Sequence, residues 1–92
     1  MPIRWTEPAA RDLTTICDYV KENGSVAAAR SVATSIYDRV GTLAEFSEMG
    51  RPGRIEGTRE LIFTGLPYLA IYRVRGNTVE ILCILHGAQK WP

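Results

Sequence analysis

One histidine, His86, closes an apolar run, Ile81-Leu82-Cys83-Ile84-Leu85, and Lys90, Trp91 and Pro92 follow close behind it. Imidazole is the side chain that exchanges a proton near neutral pH, so His86 is the first candidate for a general base. A phosphate cation to go with it would be Arg73, since a guanidinium can hold two oxygens at once. Chemistry at a phosphate would need such a base, an acid and cations around the phosphate. The spacing opposes it. If Gly76-Asn77 is a two-residue turn, Arg75 pairs with Thr78, Arg73 with Glu80, and His86 faces Pro67. Six strand steps then separate His86 from Arg73, roughly 20 Å, and Glu80 neutralises the arginine. No catalytic residue is assigned on this reading, and His86 and Arg73 are the pair to test for phosphate chemistry. His86 keeps three roles open: a strand-end ring bonded to the Gly87–Gln89 turn, a partner contact, or a base.

The other candidates suit contact better than catalysis. Arg51 and Arg54 sit in a segment rich in turn formers, Met49-Gly50-Arg51-Pro52-Gly53-Arg54. Arg59 opens a strand beside Glu60; it either anchors the 49–56 loop or touches a partner. Trp91 is either an interface anchor or a ring that covers the sheet edge. Arg51, Arg54, Arg59, His86 and Trp91 form the expected partner- or target-binding set. Two cysteines, Cys17 and Cys83, lie inside apolar patterns and read as small buried hydrophobes of a reducing compartment. One histidine and two scattered cysteines are a poor zinc set. Neither a metal nor a cofactor is expected.

These residues need elements to place them. Ile3-Arg4-Trp5 reads as a short strand. Thr6 is a helix N-cap, with Glu7 and Pro8 in the first turn. Leu13, Ile16, Cys17 and Val20 form the stripe of an amphipathic helix, stopped by Asn23-Gly24. Ser25 caps a second helix with a stripe of Ala29, Val32, Ala33, Ile36, Val40 and Leu43, ending near Phe46. The short link makes the two an antiparallel hairpin. Strands follow at 59–63, 68–75 and 78–86. In the straight register Val74, Tyr72, Ala70 and Tyr68 face Val79, Ile81, Cys83 and Leu85 on the helix-covered side. The other side then carries Arg73 and Glu80, the apolar residues Ile71, Leu82, Leu69 and Ile84, and His86. An uncovered apolar patch of that kind invites a partner or a folded-back tail. The fold class is α+β, β-α-α-β-β-β, a helical hairpin packed on an antiparallel sheet.

Ninety-two residues, 46% of them hydrophobic, suggest one domain spanning 1–92. No run approaches the roughly 20 apolar residues of a spanning helix, and the first residues lack the apolar core of a signal peptide, so the cytoplasm is the expected location. Residues 1–50 carry five basic and seven acidic side chains, and 51–92 carry six and three; the total is +1. That is far from the basic footprint of a typical nucleic-acid binder.

The segments "GTREL", "PYLAIYRV" and "ILHGAQKWP" resemble the C-terminal pattern of the RelE/ParE family of bacterial type II toxin–antitoxin toxins. "AARDLTTICDYV" and "FSEMGRPGR" extend the resemblance over almost the whole chain. It implies a toxin held by a cognate antitoxin, in a hetero-oligomer, of the kind that stabilises plasmids. RelE-like members cut mRNA on the ribosome and carry an arginine after the first tyrosine of the middle strand; here that position is Leu69. ParE-like members share the fold without that set and are implied to poison DNA gyrase and block replication. Leu69 and the low charge favour the ParE-like reading. The alternatives are a ribosome-dependent mRNA endonuclease and a degenerate, non-toxic antitoxin-binding module.

Overall fold

The structure is a computed structural model, and it describes residues 1–87 and 89–92. Strand β1 (Ile3–Trp5) leads into helix α1 (Glu7–Asn23) and helix α2 (Val26–Gly41). Each helix starts where the sequence expects it. Thr6 accepts from the Ala9 amide at 3.4 Å, and Ser25 accepts from the Ala28 amide at 2.9 Å. Caps of this kind are worth about 1 kcal/mol each. The second helix is shorter than expected. It ends at Gly41 and tightens into a 3₁₀ turn over Thr42–Ala44, where Leu43 remains fully buried. The Thr42 hydroxyl donates to the Arg39 carbonyl at 2.6 Å, meeting one of the acceptors freed at the helix end.

Strands β2 (Arg51–Pro52), β3 (Thr58–Ile62), β4 (Tyr68–Arg75) and β5 (Thr78–His86) complete one sheet in the order β1-β5-β4-β3-β2. Two features go beyond the sequence reading. The expected 49–54 loop contains β2, which pairs antiparallel with β3 through Arg51–Glu60 and Pro52–Arg59. The sheet is also mixed, because β1 runs parallel to β5, Ile3 to Trp5 beside Val79 to Ile81. The helical crossover lets an N-terminal strand return parallel to one far along the chain.

The helices cover one face. Ala9, Ile36, Val40, Leu43, Leu61, Phe63, Ala70, Tyr72, Val79, Ile81 and Ile84 form the core. Burying each large apolar side chain contributes about 1.5–3 kcal/mol. Trp5 packs against α2; its ring stacks on Tyr37 with centroids 6.1 Å apart.

The β4–β5 hairpin corrects the expected register. Arg75–Thr78, Val74–Val79, Arg73–Glu80 and Tyr72–Ile81 pair as the turn dictates. A β-bulge then intervenes. Ile71 pairs with Cys83, Ala70 with Ile84, Leu69 with Leu85 and Tyr68 with His86, which leaves Leu82 as the extra residue. Beyond a bulge every side chain changes face. Ile84 therefore enters the core and His86 moves to the helix side, while Cys83 and Leu85 move to the outer face. Helix α1 holds the bulge. The Thr6 hydroxyl donates to the Ile81 carbonyl at 2.6 Å, and Asp12 Oδ2 accepts from the Ile84 amide at 3.0 Å.

Candidate functional site

The bulge builds a groove between α1 and the end of the β4–β5 hairpin. It has a volume of about 510 Å³, and Asp12, Ile16, Tyr19, Tyr68, Ile84 and His86 are among its walls. His86 is exposed, and its ring meets the half-buried Tyr68 edge-on, centroids 5.9 Å apart at 88°. The strand end is fixed through the backbone. The His86 amide donates to Gln89 Oε1 at 2.7 Å, the Gln89 amide donates to the His86 carbonyl at 2.9 Å, and the Gly87 amide donates to the Pro67 carbonyl at 2.7 Å. Of the Gly87–Gln89 turn named from sequence, Ala88 lies outside the described residues.

The groove is apolar with a few polar groups. Among the described residues its one carboxylate is Asp12, which lines the same groove as His86, and no arginine or lysine lines it. Phosphoryl chemistry needs the opposite charge there. A peptide or protein surface suits such walls better.

Arg73 lies elsewhere. It is on the outer face, five strand steps from Tyr68 and so roughly 17 Å along the strand from His86. Its Nε donates to Glu80 Oε1 at 2.8 Å, and Arg4 Nη1 donates to the other oxygen of the same carboxylate. Glu80 is buried, and the Arg73 hydrogen bond holds its carboxyl below the usual range, with Arg4 adding to the effect. The pair is an ion-pair cluster of the sheet, and one phosphate cannot span from it to His86.

The remaining candidates divide. Arg51 Nε donates to Glu60 Oε1 at 2.8 Å across β2 and β3. Arg59 anchors the loop: its Nη1 donates to the Gly50 carbonyl at 2.7 Å and to the Glu48 carbonyl at 3.2 Å. Arg54 is exposed in the bend between β2 and β3, and Trp91 is half-buried. The cysteines, both read as buried, divide as well: Cys17 is half-buried. Cys83 is buried, which pushes its thiol up to about 11, and burial raises that of Cys17 as well. Among the described residues no group of histidine, cysteine and carboxylates could hold a metal.

Sequence reasoning missed the hydrogen bonds of two residues, one at the groove and one at the loop before β2. Asp12 reads as an ordinary helix charge, yet it binds the strand. Tyr72 reads as core, which it is, but its hydroxyl also works on the loop. It accepts from the Gly50 amide at 2.9 Å and donates to the Ser47 carbonyl at 2.8 Å.

Comparison with known proteins places this architecture. The model of the ParE toxin of the type II toxin–antitoxin system parDE matches residues 3–91. The chain belongs to the ParE toxin family. A Sinorhizobium fredii protein named "Putative toxin Y4kP" is 47% identical, over 98% of this chain and 92% of its own length. "Toxin RelE2" of Caulobacter vibrioides is 36% identical, over 92% and 93%. A solved structure, "Chromosomal ParDE TA system from P. aeruginosa", superposes with a TM-score of 0.86 at 31% identity, covering 91% of this chain and 92% of that one. The ParE assignment makes the chain a type II toxin–antitoxin toxin with an antitoxin as partner. Among the described residues no helix is long and apolar enough to cross a membrane.

Proposed function

We propose that this toxin acts as one domain in the cytoplasm and stops replication by binding DNA gyrase, with no chemistry of its own. The bulge at Leu82 carries this reading: it sets His86 and Arg73 on opposite faces of the sheet. Leu69 at the position of the RelE arginine, the Asp12 carboxylate in the same groove as His86 and the net charge of +1 support it. The groove at His86, with Arg54 and Trp91, is the surface proposed for target or antitoxin.

Purified toxin added to gyrase, relaxed plasmid and ATP is expected to stop supercoiling, and antitoxin to restore it. In cells induced without antitoxin, thymidine incorporation is expected to fall before methionine incorporation. His86→Ala is expected to keep this arrest. Supercoiling untouched by excess toxin overturns the proposal. Cleavage of ribosome-bound mRNA that His86→Ala abolishes would instead establish the nuclease reading, and normal growth under strong expression would indicate a binding module without toxicity.

A further inference from the structure

Arg39, near the end of α2, is a cation without an anion. Its Nη1 donates only to the Met49 thioether at 3.4 Å, a weak acceptor, and its Nε is buried with no acceptor. Among the described residues no carboxylate forms an ion pair with it. Glu60, which lines a hollow together with Arg39, is already held by Arg51. A buried donor left unmade costs free energy that native structures seldom tolerate without a reason.

Two hollows meet at this side chain. One, of about 190 Å³, has Met49, Gly50, Leu61 and Ile62 among its walls; the other, of about 340 Å³, has Ser35, Phe63 and Leu66. Arg39 lines both, and the outer edge of β3 runs beneath them. Strand β2 covers that edge only at Arg59 and Glu60. The Phe63 amide donates inward to the Tyr68 carbonyl at 3.4 Å, so strand alternation turns the N–H and C=O of Ile62 outward. No described strand pairs with them there. The Ile62 side chain is 47% exposed. An unpaired edge is a template for an extended segment, and this one has a guanidinium short of acceptors above it.

We infer that Arg39 and the open edge of β3 form a carboxylate-reading site for an extended acidic segment of the antitoxin. The segment lies along Leu61–Phe63 beyond the end of β2. One of its carboxylates accepts from Arg39 Nε, and its backbone pairs with Ile62. The inference rests on the antitoxin partner that family membership brings, and it is independent of the gyrase reading.

The test titrates ¹⁵N-labelled toxin with a blocked eight-residue peptide that alternates threonine and valine around one central aspartate, and with its asparagine counterpart. The Arg39 Nε–H signal and the Leu61–Phe63 amides are expected to shift saturably. The aspartate peptide is expected to bind about tenfold tighter, as a charge-assisted bond requires. Arg39→Met is expected to erase that preference and to raise the melting temperature of the free toxin, because it removes a donor that has no acceptor. A purely structural arginine would lower the melting temperature instead. Shifts that are absent or equal for the two peptides overturn the inference, as does an Arg39→Met variant that melts below the wild type. Neither measurement involves gyrase, so failure here leaves the target reading untouched.

Discussion

Tyr72 has no exposed surface, yet its hydroxyl makes two hydrogen bonds to the backbone of the loop before β2. Burial pushes its phenol up, so it keeps the proton it donates to Ser47. Tyr72→Phe strands a buried amide and a part-buried carbonyl and is expected to cost about 1–3 kcal/mol, read from the urea midpoint. Glu80 gives a pH signature. Its folded carboxyl titrates below the ordinary value of 4.5. The unfolded chain therefore takes up this proton first as the pH falls. Its stabilisation is fully present above that value and drains away as pH drops through the lowered folded value. Urea midpoints measured from neutrality down into that acid range are expected to fall more steeply for the wild type than for Glu80→Gln. The Arg73–Glu80 contact was legible in the sequence because it lies three pairs from a tight turn, where register is fixed by counting. The role of Arg59 was left between two readings because its acceptors are carbonyls of a loop, and no side-chain pattern announces those.

At the scale of elements, the helices were legible because caps and stripes are local. Thr6, Ser25 and the positions from Leu13 to Val20 and Ala29 to Leu43 need no knowledge of the rest of the chain. The bulge was illegible for an equally physical reason. Residues 81 to 85 are all apolar, so a strand slipped by one still shows the helices a greasy face, and alternation carries no information about parity. What decides the register is Asp12, on another element, which takes the Ile84 amide. Asp12→Ala is expected to destabilise the fold by about 1.5–3 kcal/mol, the range for a hydrogen bond to a charged group, in a denaturant titration. Asp12→Asn, which keeps an acceptor, is expected to cost less. The same bulge places His86 at the groove, so the element sets the site as much as the residue does.

For the whole molecule, the parallel β1–β5 pair couples the two ends of the fold. Arg4 reaches Glu80 across 76 positions, and among the described residues Ile3 to Trp5 have no strand neighbour other than β5. A chain ended at Asn77 keeps both helices, β3 and β4 but loses β5 and the packing of Ile81 and Ile84. It is expected to show no cooperative thermal transition by circular dichroism. The α+β class and the hairpin of helices on the sheet were readable ahead of the structure; the mixed sheet was not, because three residues such as Ile3-Arg4-Trp5 do not encode their direction of pairing. That late pairing has a consequence in time. During synthesis the first strand leaves the ribosome long before its only neighbour exists, and the long-range closure that joins them is the entropically slow step. The nascent toxin therefore stays unfinished until its last strand emerges, an interval in which a waiting antitoxin can meet it before it meets any target.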